Sequence, residues 1–198
     1  MTSRALFASM IAEETVADMR LVSGLEASCR ALADEDQAGR RWSKAHGYRG
    51  YTSYASLNDL PVRDPAFADL KRVLDRLVAG FGDTCGFNLG GKRLKLDSLW
   101  VNVLKPGGAH SGHLHPHSVV SGTIYVVVPE GAGGLRLEDP RLGLMMAAPP
   151  RRAEAAGFVT IHPAAGTVLL WESWMRHEVM PHTGKGERIS ISFNYRWG

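Results

Sequence analysis

The chain has 198 residues, 44% of them hydrophobic, which is the size of one large domain with enough apolar side chains to bury a core. Its formal charge of +3 comes from interleaved lysines, arginines and carboxylates, so composition offers no polybasic tract that would argue for nucleic acid, while a pull on anionic small molecules is equally compatible. Cys29 and Cys85 are isolated, which excludes a CxxC zinc ribbon and a disulfide scaffold and makes a reducing cytoplasm the expected location; the N-terminal apolar patch meets Glu13 and Glu14 too soon for a signal segment, and no apolar run approaches membrane-spanning length.

From Glu13 to Ala38, Val16, Met19, Leu25 and Leu32 recur among charges without proline, which predicts helix, interrupted near Gly24. Arg40 to Pro61 sets Trp42, Tyr48, Tyr51 and Tyr54 among glycine and serine and reads as a loop, a lid or simple packing. A second helix is better marked. Asp64-Pro65 supplies a cap and a first-turn proline, and Phe67, Leu70, Val73, Leu74, Leu77, Val78 and Phe81 form one stripe that ends near Gly80 or Gly82. From Leu94 the period drops to two, and again at Val119 to Val128, Gly157 to Ile161, Gly166 to Trp171 and Arg188 to Trp197. Several short strands between glycine and proline turns imply a sandwich or barrel, with the helical first half packed on its outside. The expectation is one domain over 1–198, with helical and loop support in 1–93 and a β core in 94–198.

Four of the eight histidines, His110, His113, His115 and His117, fall in the run before the apolar strand at Val119. Imidazole is a common metal ligand, and alternation along extended chain points His113 and His115 to one face. A solvated polar loop is the plainer alternative, and a register using His115 and His117 alternates equally well. A metal site needs a further ligand, for which His177, at the entrance of a strand, is the best candidate; otherwise it is a core histidine bonded to a carbonyl. His162 and His182 sit beside prolines in turn-like context and are expected at the surface, and His46 is assigned no role. In the last strand Arg188, Ser190, Ser192, Asn194 and Arg196 share one face and Ile189, Ile191, Phe193, Tyr195 and Trp197 the other. Arg188, with the Ser190 hydroxyl beside it, suits a dicarboxylate whose other end chelates a metal, unless that polar face meets water. Arg141, Arg176 and Arg196 could meet an anionic primary substrate, or be plain surface charge.

Taken together, Asn102-Val-Leu-Lys-Pro-Gly, His113-Leu-His115-Pro116, Ser121-Gly-Thr-Ile-Tyr125, Glu138-Asp-Pro-Arg141, the strand to His177, and Arg188-Ile-Ser190 running to Asn194 resemble the Fe(II)- and 2-oxoglutarate-dependent oxygenase superfamily. Within it, the chain is similar to a bacterial and phage group of uncharacterised 2OG-Fe(II) oxygenases, strongly over 94–198 and loosely before. The resemblance implies a double-stranded β-helix, a jelly-roll and cupin-like barrel that is mainly β with flanking N-terminal helices. It implies Fe(II) and 2-oxoglutarate as cofactor and co-substrate, O2 as oxidant, and decarboxylation of 2-oxoglutarate to succinate and CO2. It further implies His113 and His177 as iron ligands, Arg188 helped by Ser190 on the distal carboxylate, and Asn102 and Tyr125 lining the same pocket. Asn102 precedes His113 by eleven residues, as the corresponding asparagine does in AlkB-type demethylases, but Leu104 stands where those enzymes have tyrosine.

One departure is chemical. The superfamily's usual H-x-D or H-x-E carboxylate is here His115. Three neutral imidazoles would leave Fe(II) its full +2 charge, favouring a dianionic co-substrate and altering the metal's redox tuning. The other arrangement brings a carboxylate from Glu138 or Asp139, although Asp139-Pro140 reads as a turn. A cupin-type metalloenzyme that does not use 2-oxoglutarate is a rival reading: Gly107 stands six residues before His113 as its first motif requires. However, no glutamate occupies position 119 or 120, and Pro163-Ala-Ala-Gly166 lies too far before His177. A non-enzymatic metal- or carboxylate-binding barrel is the third. Neither a membrane nor nucleic acid is indicated as a partner, and a homodimer is allowed.

Overall fold

Asp36 ends one helix and starts the next. The computed structural model describes residues 1–4, 6–141, 146–147, 149–153 and 156–198. After strand β1 (Ile11–Thr15), helix α1 (Met19–Glu35) is capped by Asp18, whose carboxylate accepts from the Arg20 and Leu21 amides, and it runs through Gly24 without interruption. Asp36 is its C-cap and the N-cap of α2 (Gln37–Ala45), where the carboxylate accepts from the Gly39 amide as well as from the Tyr51 and Ser56 hydroxyls. A Cβ at Gly39 would lie 2.3 Å from the Asp36 carboxylate, so the crossing accepts only glycine.

The segment expected to be loop therefore holds α2, strand β2 (Gly50–Thr52) and the short helix α3 (Leu60–Arg63). The predicted second helix is α4 (Pro65–Thr84), capped by Asp64. It buries Phe67, Leu70, Leu74, Val78 and Phe81 as its stripe requires, but passes both glycines before it stops. Tertiary packing along an apolar stripe outweighs the roughly 1 kcal/mol that glycine costs a helix interior.

Eight strands follow: β3 (Leu94–Leu104), β4 (His110–His113), β5 (Val120–Val127), β6 (Leu135–Glu138), β7 (Phe158–Ile161), β8 (Thr167–Glu172), β9 (His177–Val179) and β10 (Arg188–Trp197). They form two antiparallel sheets, β1-β8-β5-β10-β3-β2 and β4-β9-β6-β7, the arrangement of a double-stranded β-helix. β1 and β2 extend the large sheet at its two ends, pairing with β8 and β3. Strands β4, β6 and β9, of three or four residues, carry too little alternation to read from sequence.

Helices α1 and α4 cover the outer face of the large sheet. Val22, Leu25, Phe67, Leu70 and Leu74 pack with Val101, Ile124, Leu170, Ile191 and Phe193 in one buried cluster, and the Tyr195 hydroxyl donates to Asp75 of α4 at 2.8 Å. Gly122 makes room there, because a Cβ would come within 2.4 Å of the Phe193 ring. The inner face of the same sheet looks toward the small sheet and encloses the cavity described next. No described helix is long and apolar enough to cross a membrane.

Candidate metal centre and its cavity

Antiparallel register brings two of the histidines together. His113 of β4 is paired directly with His177 of β9, so both side chains leave the same face, with ring centroids 4.4 Å apart. His115 lies just beyond β4, its amide bonded to the Ser173 carbonyl at 3.1 Å, and its ring stacks on His177 at 5.1 Å and 17°. One ligand nitrogen from each of the three lies within 4.8 Å of the others, and the three could hold a metal ion.

The protonation chemistry fits. The His113 Nδ1 lies 2.7 Å from the Ser111 carbonyl and the His177 Nδ1 2.9 Å from the Met175 carbonyl, so each ring donates an N–H to backbone and keeps its Nε2 lone pair for a ligand. The His115 Nε2 is buried with no hydrogen-bond partner. Burial, opposed by the Met175 carbonyl and reinforced by the neighbouring histidines, pushes His177 down to about 3, and burial with repulsion from His113 pushes His115 down to about 4. Both are neutral donors at physiological pH.

The carboxylate candidates are engaged elsewhere. Glu138 bonds Arg176 at 2.6 Å, and Asp139 accepts from the Arg141 side chain and its amide, which hold its carboxyl down to about 2. Among the described residues the cluster is all histidine. His117, in the alternative register, has a φ of 72° and is exposed outside the cluster. His182, expected at the surface, is buried at 1%, its ring held between the Gly131 and Gly186 carbonyls at 3.2 and 3.1 Å. His162 is exposed, and His46 stacks on Trp42. Arg141, Arg176 and Arg196 are paired on the surface with Asp139, Glu138 and Asp97.

Below the histidines lies a cavity of about 450 Å³ lined by Asn102, Tyr125, Arg188 and Ser190 among others. Arg188 is 2% exposed. Its guanidinium lies 4.9 Å over the Tyr125 ring, has no acidic partner among the described residues, and leaves Nε without a hydrogen bond. Burial lowers its affinity for the proton, and burial pushes the Tyr125 phenol up to about 12 with its hydroxyl also unpartnered. A buried guanidinium without a counter-charge costs a fold stability. Asn102 is held from both ends: its Oδ1 accepts from Thr52 at 3.0 Å and Tyr48 at 3.2 Å, and its Nδ2 donates to Ser192 at 3.1 Å.

Tyr48 was not legible as a site residue. Its hydroxyl lies 2.9 Å from the His110 Nε2 as well as at Asn102, and both residues line the cavity. Burial and the nearby Arg188 hold His110 down to about 4, with a smaller contribution from His113. Trp171, with a buried and unpartnered indole N–H, closes the wall beside His177 at 4.7 Å. Only the aromatic enrichment of the segment after Arg40 hinted at Tyr48.

A family model described as "putative 2OG-Fe(II) oxygenase" matches residues 98–194. That segment, just under half of the chain, is similar in sequence to this family. The matched segment holds the three clustered histidines together with Asn102, Tyr125, Arg188 and Ser190. In fold the chain is similar to a prolyl-4-hydroxylase from Pseudomonas putida, at 21% identity and a TM-score of 0.65 over 95% of this chain and 93% of that one. It is similar also to HygX from Streptomyces hygroscopicus, solved with nickel and 2-oxoglutarate bound, at 14% identity and 0.63 over 95% and 82%. It spans half the length of a Burkholderia pseudomallei oxidoreductase of the 2OG-Fe(II) oxygenase family, at 20% identity over 60% of this chain and a TM-score of 0.46. No curated protein matches it.

Proposed function

We propose that this protein is a 2-oxoglutarate-dependent dioxygenase in which His113, His115 and His177 hold Fe(II) and Arg188, helped by Ser190, holds the distal carboxylate of 2-oxoglutarate. The supporting observation is a buried arginine without an acidic partner among the described residues, in the same cavity as three convergent imidazoles. The family match and the nickel and 2-oxoglutarate in HygX point the same way. When bound, iron and 2-oxoglutarate supply the oxidising chemistry: O2 is consumed, 2-oxoglutarate becomes succinate and CO2, and one oxygen atom is available to oxidise a substrate.

The chain's own contribution is placement. Arg188 offers a planar fork to one carboxylate and sets the distance of the other end of a five-carbon diacid from the histidines. Tyr125 gives that guanidinium an aromatic face and an unused hydroxyl. Asn102, fixed by Thr52, Tyr48 and Ser192, braces the wall. Leu135, Trp171 and Val179 line the cavity with apolar surface and exclude water. The two Nδ1 bonds to backbone carbonyls lock the imidazole planes, so ordering them costs little when metal enters. Residues 1–93 support the barrel of 94–198 within one functional unit.

The test is an anaerobic titration of 2-oxoglutarate into the Fe(II)-loaded protein, followed by the visible charge-transfer absorption that bidentate keto-acid chelation gives. The expected result is a band that is lost in His177→Ala, where metal binding fails, and in Arg188→Ala, where metal still binds. Iron binding without a band, indifferent to Arg188, would return the barrel to a cupin-type or non-enzymatic role.

A further inference from the structure

The cavity is distinctive for what does not line it: among the described residues on its walls there is no aspartate or glutamate. Neighbouring carboxylates are spent on outside pairs, Glu138 with Arg176 and Glu178 with Arg136. The permanently charged side chain in the lining is Arg188. Resting on the function proposed above, the charges can be added. A divalent metal and Arg188 bring +3, the 2-oxoglutarate dianion brings −2, and three neutral imidazoles bring nothing, which leaves +1. An aspartate in place of His115 would bring the sum to zero. A surplus positive charge in a cavity lined by aromatic, aliphatic and polar side chains, with no carboxylate among its described residues to offset it, draws an opposite one.

The mouth supplies a second feature. Trp42, Tyr54 and Trp100 line it as a continuous aromatic wall, Trp42 to Tyr54 at 6.5 Å and Tyr54 to Trp100 at 5.3 Å. The Trp100 indole in turn lies 5.9 Å from the His115 ring at 24°. Tyr54 is 62% exposed despite its size, and Leu114, 46% exposed, also borders the cavity. Such a wall suits a flat ring, which stacks or packs edge-on against it at little entropic cost.

We infer that the primary substrate is an anion carried on a flat, mainly apolar ring, the ring resting on the Trp42–Tyr54–Trp100 wall and the acidic group drawn by the positive charge that His115 leaves uncompensated at the metal. The wall ends at His115, so the two halves of the recognition meet where oxidation would occur.

The experiment uses Zn(II)-loaded protein with saturating 2-oxoglutarate, which binds without turning over, and calorimetric titration with two probes that share a ring and differ in charge, indole-3-acetate and tryptamine. Indole-3-acetate should bind at least about tenfold tighter than tryptamine, a difference of about 1.4 kcal/mol. His115→Asp should abolish or reverse that preference, while His115→Asn, which adds no charge, should keep it. Tyr54→Ala, at an exposed position that does not threaten folding, should weaken indole-3-acetate severalfold and leave 2-oxoglutarate binding unchanged. Equal binding of the two probes, tighter tryptamine, binding of neither, or a preference untouched by His115→Asp would overturn the inference. If 2-oxoglutarate binds and the probes are not separated, only this inference falls; if 2-oxoglutarate does not bind, the proposed function falls with it.

Discussion

The two faces of β10 show opposite uses of burial. Outward, Ile189, Ile191, Phe193 and Tyr195 are fully buried beneath α1 and α4, and the one polar atom among their side chains, the Tyr195 hydroxyl, is bonded to Asp75. Inward, Arg188, Ser190, Ser192 and Asn194 line the cavity. Ser192 and Asn194 are tied to Asn102, Thr123, Ser98 and Ser121, whereas Arg188 ends without an anion. The outer face is complete, and the inner one withholds its strongest group from the fold. A fold retains a buried, unpaired cation at a cost in stability, so that residue marks what the cavity is for.

The largest effect that would break this contrast belongs to the outer face. Phe193→Ala removes a buried ring seated on Gly122 and should cost about 3–5 kcal/mol in urea unfolding of the metal-free protein, while the folded fraction still binds 2-oxoglutarate. Arg188→Met should do the reverse: calorimetry should show 2-oxoglutarate affinity lower by about a hundredfold or more, and unfolding should show stability unchanged or raised by about 1–3 kcal/mol. If Arg188→Met unfolded the protein as Phe193→Ala does, the inner face would be structural after all.

A smaller effect concerns pH. His110, held near 4 against an ordinary 6.5, takes its proton in the unfolded chain first. Its contribution to stability is therefore complete above pH 6.5, shrinks as the pH falls toward 4, and is constant below. Between pH 7 and pH 5 the metal-free protein should lose about 2 kcal/mol through this residue, and His110→Asn should remove that share of the slope in unfolding at the two pH values. The smallest effect expected is Ser190→Ala, a loss of about 1 kcal/mol in 2-oxoglutarate binding with stability nearly unchanged.

The outer face was readable because a strand that alternates over ten residues admits one arrangement, and the stripe of α4 declares the partner that covers it. His113, His115 and His177 were readable as donors from residue type, and the register of β4 with β9 supplied the proximity that sequence only implied. Tyr48 and His182 were not readable. Tyr48 reaches Asn102 only because Asp36 turns α1 into α2 and β2 then docks on β3, a tertiary outcome with no local periodicity. His182 is buried because its ring sits between the Gly131 and Gly186 carbonyls with the Gly184 amide donating to its Nδ1, contacts that turn-like composition around it could not reveal.

β10 follows the other described strands in chain order yet sits in the middle of the large sheet, between β5 and β3. Until it inserts, β1-β8-β5 and β3-β2 are separate ribbons, each with an open edge lined by apolar side chains. Their contacts span most of the sequence, since β1 pairs with residues 167–171, so folding should be slow for the chain's size and commit late. During synthesis the protein would therefore pass through its most aggregation-prone state just before the ribosome releases Arg188 to Trp197, and a chaperone that shields strand edges would matter most in that interval.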